Sequence, residues 1–254
     1  VNLSNLAAKG AEPLGFLLAL SLPKGWTGDW MEGFSRGLRE DAQAYGCPLL
    51  GGDTTRTPGP LTLSVTAIGA TPVGAMVKRF GAKPGDALYV TGTIGDAALG
   101  LACRDRLSDL DAAHRAFLLD RYLLPRPRTV AAGAMRAHAR GGMDVSDGFV
   151  GDLAKMMRAS GCGARVELAQ VPFSQAGRAA LALDASLRDV ALTGGDDYEL
   201  LASVAPQEIN AFEAAMRASG IDVTRVGDAV EGETVFLEAD GTPRRFAHGS
   251  FQHF

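Results

Sequence analysis

Leu49-Leu50-Gly51-Gly52-Asp53-Thr54-Thr55-Arg56 is the stretch on which the reading of this chain turns. An apolar run stops at two glycines, and an acid, two hydroxyls and a base follow. Glycine lets the backbone take positive φ and come close to a ligand. A carboxylate just after it suits a hard cation such as Mg²⁺, which takes oxygen ligands and keeps substrate phosphates within reach. The pattern returns at Met143-Asp144-Val145-Ser146-Asp147-Gly148 and at Thr193-Gly194-Gly195-Asp196-Asp197-Tyr198-Glu199. Taken singly, Gly-Gly-Asp and Ser-Asp-Gly are ordinary turn and helix-cap chemistry. Their recurrence at the ends of apolar runs predicts one metal-and-phosphate site assembled from distant segments.

A chain of 254 residues is long enough for a large core in one or two domains. The net charge of −4 offers no broad basic field, so nucleic-acid binding is not expected. Cys47, Cys103 and Cys162 are scattered and odd in number, which argues for a reducing compartment and against a disulfide frame or a structural zinc. The apolar run Leu14 to Leu22, closed by Pro23, follows Glu12-Pro13 rather than a basic segment and is far too short to span a bilayer. It is expected to be a buried strand in a cytoplasmic protein. The chain starts at Val1 inside an amphipathic helical pattern and reads as a fragment whose beginning is missing.

Local patterns order the rest. Asn2 to Ala11 is expected to be a helix, and Asp29 is expected to cap a second one running from Trp30 to about Tyr45. Trp30, Phe34, Leu38, Ala42 and Tyr45 make its apolar stripe, and Gly46 ends it. The strand Cys47 to Leu50 then leads into the first acidic turn. Leu61 to Ala67 alternates as a half-exposed strand does. The turn-rich segment Lys78 to Asp86 is the expected boundary between a first domain, 1–80, and a second, 81–254. The second domain is expected to open with a strand over Ala87 to Thr91. Helices are expected over Asp96 to Arg106, Asp111 to Leu123, Arg128 to Ala139 and Phe149 to Ser160. Further strands are expected near 164–168, 199–204, 222–226 and 234–238. The fold class is therefore α/β (α+β). Asp147 at a helix start has an ordinary electrostatic reason to be there, and phosphates favour the same place for the same reason.

Other chemistries lack their residues. The sequence has no G-x-x-x-x-G-K-[ST] loop, no protein-kinase signature, no G-x-S-x-G elbow and no H-E-x-x-H pair. Gly92-Thr93-Ile94-Gly95 lacks the full dinucleotide spacing. Carboxylates, glycine turns and Mg²⁺ remain, and these suit phosphoryl transfer, where catalysis is mainly positioning and charge neutralisation.

Val1-Asn2-Leu3-Ser4 with Leu6-Ala7-Ala8, Gly51 to Arg56, Asp144 to Gly148, Leu192 to Leu200 and the terminal His253-Phe254 resemble the thiamine-monophosphate kinase family from one end of the chain to the other. That family is related to aminoimidazole ribonucleotide synthetase and selenophosphate synthetase. The resemblance implies a two-domain α/β protein that forms a homodimer through its first domain. It implies transfer of the γ-phosphoryl of ATP onto the phosphate of thiamine monophosphate, giving thiamine diphosphate. It also implies Asp53, Asp144 and Asp147 as Mg²⁺ ligands, with Gly52, Asp53, Arg79 and Ser146 contacting ATP. Glu199 would approach the thiamine moiety, and Phe251 would pack on its cationic ring. No side chain is implied as a general base, because the acceptor phosphate is already largely ionised, with a second pKa of about 6 by analogy with phosphorylated side chains.

Two departures qualify the resemblance. Asn5 stands where the family has a metal-binding Asp, and its amide oxygen brings no charge to the ion. The family's upstream Gly-Asp-Asp segment, with further ligands and a substrate-binding histidine, would precede Val1, so the chain alone is expected to be a poor catalyst. The alternatives are a non-catalytic relative that binds nucleotide or thiamine phosphate, and another enzyme of the superfamily such as selenophosphate synthetase. The latter would want a reactive cysteine near a glycine-rich start.

Overall fold

A computed structural model describes residues 1–251. His253 and Phe254, which carry part of the resemblance, lie outside the described residues. The chain runs α1 (Asn2–Ala8), β1 (Glu12–Leu22), α2 (Gly28–Ala44), β2 (Leu49–Arg56), β3 (Thr62–Ala70) and β4 (Ala87–Thr91). It continues α3 (Asp96–Ala102), α4 (Ala112–Leu123), α5 (Ala132–His138), β5 (Ala139–Asp144), α6 (Phe149–Ser160), β6 (Gly163–Glu167), α7 (Gln175–Leu183) and α8 (Leu187–Thr193). The last elements are β7 (Leu200–Val204), α9 (Ile209–Ala218), β8 (Val223–Val230), β9 (Val235–Leu237) and β10 (Pro243–Arg244).

Two sheets result. The first has three strands in the order β2-β1-β3, with β1 parallel to β2 and antiparallel to β3. The second has seven strands in the order β10-β9-β6-β8-β4-β7-β5, antiparallel except where β6 meets β9. Strand alternation divides the second sheet between two cores. Leu88, Val90, Leu201 and Val226 face α6, where Phe149, Leu153, Met156 and Met157 pack. Tyr89, Leu200, Ala202 and Val204 face the other way, onto Met135 of α5 and Phe212 and Met216 of α9. A third cluster joins α3, α4, α7 and α8 through Leu99, Leu118, Ala180 and Leu187.

α1 belongs to the second of these cores rather than to its own sheet alone. Ala7 and Ala8 are fully buried there, beside Val77. The segment after β3 is likewise docked, not free. Gly142 donates to the Lys78 carbonyl at 3.1 Å, and Val77 donates to the Lys9 carbonyl at 3.1 Å. Packing thus crosses the expected boundary near residue 80.

Several local expectations are corrected. β1 is half-buried rather than buried, because Phe16, Leu20 and Leu22 face helices while Leu14 and Leu17 face outward. Thr27, not Asp29, caps α2, its hydroxyl accepting from the Trp30 N–H at 3.3 Å. The largest change is at the first acidic stretch. Gly51, Gly52 and Asp53 do not form a turn but continue an extended strand paired with Leu17, Leu18 and Ala19. A Cβ on Gly52 would sit 1.8 Å from the Leu18 carbonyl oxygen. The glycine serves close approach of two strands, the other use of a residue without a side chain.

Candidate functional site

The second and third acidic segments are built into one unit by backbone hydrogen bonds. β5 ends at Asp144, and Val145 then donates to the Glu199 carbonyl at 2.8 Å. Tyr198 donates back to the Val145 carbonyl at 2.8 Å, and Asp196 donates to the Ser146 carbonyl at 3.0 Å. Two glycines make this approach possible. A Cβ on Gly195 would lie 2.2 Å from the Ser146 carbonyl oxygen, and one on Gly148 would lie 2.4 Å from that of Thr193. Gly148 also has φ +125°, and the non-glycine residues Asp196 and Tyr198 have φ of 71° and 51°. Left-handed backbone at such residues costs about 1–3 kcal/mol each and persists where surrounding structure imposes it.

The Tyr198 hydroxyl is hydrogen-bonded to one of the acids and feels the charge of two others. Tyr198 donates to Asp196 Oδ1 at 2.9 Å. Burial raises the Tyr198 pKa, and the hydrogen bond to Asp196 and the charges of Asp196, Asp144 and Asp147 raise it further. Three carboxylates are therefore within electrostatic reach of a single phenol. Asp144 is buried and accepts from the Ser4 hydroxyl of α1. Asp147 is half-exposed and pairs with Lys155 at 2.7 Å. Asp152, on the first turn of α6, accepts the backbone N–H groups of Ser146 at 3.0 Å and Asp147 at 2.8 Å. Burial raises the Asp152 pKa against the pull of these donors and of Lys155.

Beside this unit opens a cleft of about 420 Å³. Ser146, Asp147, Gly195 and Asp196 form one wall, Ala98 and Tyr122 belong to the opposite helices, and Phe251 stands at the rim, 58% exposed. The Phe251 N–H donates to the Asp147 carbonyl at 2.9 Å, which ties the C-terminal segment to the acidic turn.

Glu199 does not line this cleft. Its carboxylate is fully buried and paired with Arg121 at 3.2 Å, with Arg128 Nε at 2.7 Å and with the Thr91 hydroxyl at 2.6 Å. Arg128 Nη2 completes a bidentate pair, and that bond, offset in part by burial, holds the Arg128 pKa up. Asp197 is also buried. Its Oδ2 accepts the Gly95 N–H at 2.8 Å at the start of α3, while Oδ1 has no partner among the described residues. Burial pushes the Asp197 pKa well up, despite this bond.

Asp53 stands apart. Thr55, two residues on, meets the Ser21 hydroxyl at 3.1 Å, so Thr55 and Asp53 share the face of the first sheet that carries Ser21 and Ala19. The helices cover the other face, where Phe16, Leu20 and Leu22 are buried and a Cβ on Gly69 would touch Leu6 of α1. Within one chain, then, the sheet separates Asp53 from the Asp144 cluster. Asn5 is exposed on α1 beside Ser4. Arg79 is exposed near Lys9, whose pKa falls mainly through burial and then through the Arg79 charge.

The donor chemistry suits Mg²⁺: Asp144, Asp147 and Asp196 all act electrostatically on Tyr198, and they offer carboxylate oxygens with no soft ligand among them. No group of three or more His, Cys, Asp or Glu among the described residues is already drawn tight enough to hold an ion. Sequence reasoning missed Asp152, Lys155 and Tyr122 and singled out no binding role for Asp196. The one available signal was an acid in the first turn after Asp147-Gly148.

Comparisons with known proteins identify the family. Residues 1–71 match the family model for AIR synthase related protein, N-terminal domain, and residues 83–240 match that for the C-terminal domain. Thiamine-monophosphate kinase of Caulobacter vibrioides is 44% identical over 98% of this chain and 72% of its own length. That of Escherichia coli K12 is 41% identical over 100% and 78%. Among solved structures, thiamine-monophosphate kinase from Stenotrophomonas maltophilia K279a superposes with TM-score 0.86 at 38% identity, covering 96% of this chain and 77% of that one. AaThiL complexed with AMPPCP and TMP superposes with TM-score 0.85 at 28% identity, covering 100% and 77%. The chain belongs to the thiamine-monophosphate kinase family of AIR synthase related proteins.

Proposed function

We propose that the chain transfers the γ-phosphoryl group of ATP to the phosphate of thiamine monophosphate, yielding ADP and thiamine diphosphate. A phosphate oxygen of the acceptor bonds to the γ-phosphorus as the bond to the β-bridging oxygen breaks. The observation that carries this reading is the acidic unit in which Asp147 and Asp196 line one cleft and Asp144 lies buried just before Asp147, in a chain whose relatives bear that name.

Bringing two polyanions together is the difficulty, and Mg²⁺ would supply the positive charge that screens them. Asp144 and Asp147 would hold the ion, with Asn5 on the adjoining helix as a neutral oxygen donor. Ser146 offers a hydroxyl to ATP at the same turn, and Arg79 offers an exposed guanidinium. Phe251 gives the cationic thiazolium an aromatic face, and Asp196, lining the same cleft, gives it a carboxylate. Glu199 supports substrate binding from behind, by fixing Arg121 and Arg128.

Asp53 and Gly52 fit this scheme as ATP and metal contacts only if the open face of the first sheet takes part. That face and its edge expose Leu14, Leu17, Leu50 and Ile68. An apolar surface of this kind supports a homodimer in which a second copy covers the sheet. The buried free cysteines suit a cytoplasmic setting, and no helix among the described residues is long and apolar enough to cross a membrane.

The test is thiamine diphosphate formation from ATP and thiamine monophosphate, with Mg²⁺ and again with EDTA. Mg²⁺-dependent product supports the proposal. Binding of both ligands without product would favour a non-catalytic relative.

A further inference from the structure

Lys155 bridges the two acids of the α6 turn that differ most in burial. Its ammonium lies 3.0 Å from Asp152 Oδ1 and 2.7 Å from Asp147 Oδ2. The Asp152 side chain is 1% exposed. Its other oxygen is committed to the Ser146 and Asp147 N–H groups, so it cannot turn away. The Asp147 side chain is 41% exposed and lines the cleft. Lys155 is therefore tethered at a fixed, buried carboxylate and reaches outward to a partly exposed one. An ammonium has three donors on a flexible stem, so it can release one partner and keep the other.

We propose that Lys155 is a placeholder cation: it neutralises Asp147 while no divalent ion is bound, then yields Asp147 to the ion and turns to a phosphate oxygen of the incoming polyphosphate. Asp152 keeps hold of it throughout, so the charge stays beside the cleft-lining Asp147 when the polyanion arrives. The proposal rests on the reading of Asp147 as a Mg²⁺ ligand. It makes Lys155 a positioning residue in the ion-free protein and a phosphate contact in the loaded one. The two states carry opposite signs for binding. An ammonium on Asp147 competes with a divalent ion, and the same ammonium attracts a polyphosphate.

The experiment is calorimetric titration of MgCl₂ alone, and separately of AMPPCP in EDTA, into the whole chain as wild type, Lys155→Met, Lys155→Arg and Asp147→Asn. Lys155→Met is expected to bind Mg²⁺ about two- to fivefold more tightly and AMPPCP more weakly by a similar factor, the range of one partly exposed charge pair. Lys155→Arg is expected to restore wild-type behaviour in both titrations. Asp147→Asn is expected to weaken Mg²⁺ binding. If Asp147→Asn weakens Mg²⁺ but Lys155→Met does not tighten it, Lys155 is an ordinary surface pair and the inference falls. If Asp147→Asn leaves Mg²⁺ binding unchanged, or wild type binds none, the ligand reading itself fails and takes the inference with it.

Discussion

The Ser4 hydroxyl donates to Oδ2 of the buried Asp144, so the helix that opens the chain and the strand that delivers the central acid are fastened together at the site. Replacing Ser4 with Ala removes that donor from a buried carboxylate. The expected cost is about 1–3 kcal/mol of unfolding free energy. Urea denaturation measures it, and an unchanged midpoint would mean that Asp144 finds another partner.

Glu199 and Asp196 separate a structural carboxylate from one that faces the cleft. Glu199→Gln breaks a buried pair with Arg121 and Arg128 and is expected to destabilise the fold by about 3–5 kcal/mol. Asp196→Asn is expected to leave the melting temperature nearly unchanged. It should raise KM for thiamine monophosphate about tenfold, the effect of losing about 1.4 kcal/mol of binding. Steady-state kinetics beside thermal melts distinguish the two.

Gly195 has no room for a side chain. Gly195→Ala would place a Cβ 2.2 Å from the Ser146 carbonyl oxygen, so the two acidic segments must part. The expected result is a loss of about 1–3 kcal/mol in stability, as for other overpacked sites, together with loss of product formation. Full activity in this variant would show that the close approach of the segments is dispensable.

Asp197 predicts a pH dependence. Burial raises its folded pKa above the unfolded value, so the folded state binds the proton more tightly than the unfolded chain does. Its contribution to stability is therefore fully present below the usual carboxylate range and is lost as pH rises through the folded pKa. Asp197→Asn keeps an acceptor for the Gly95 N–H and cannot ionise. The variant is expected to lose this slope and to equal or exceed wild type at neutral pH. Denaturation midpoints from acid to neutral pH check it.

Much of this was legible in sequence where one residue's neighbours along the chain decide its environment. The strand Ala87–Thr91 and the helix Phe149–Ser160 fall where their patterns put them, and Ser146 and Asp147, just after Asp144 ends β5, line the cleft. The errors come from contacts that only folding creates. Gly51-Gly52 has the composition of a turn, but the need it meets is the nearness of Leu18 on a neighbouring strand. Glu199 and Asp196 lie three residues apart in one acidic motif, and only the arrival of Arg121 and Arg128 decides which is buried. The helix Gln175–Leu183 consists mostly of small alanine and glycine positions, and its buried face is set by Leu99 and Leu118 from distant helices. Asp53 satisfies the motif yet sits across a sheet from the other acids, because strand alternation, not spacing along the chain, sets its face.

The central claim is that Asp144 and Asp147 hold the divalent ion at the cleft where thiamine rests on Phe251. Crystals grown with Mn²⁺, AMPPCP and thiamine monophosphate test it directly through anomalous scattering. The account predicts manganese peaks at both carboxylates, with the thiazolium ring against Phe251. Ordered ligands bound elsewhere, with no peak at either carboxylate, would contradict it.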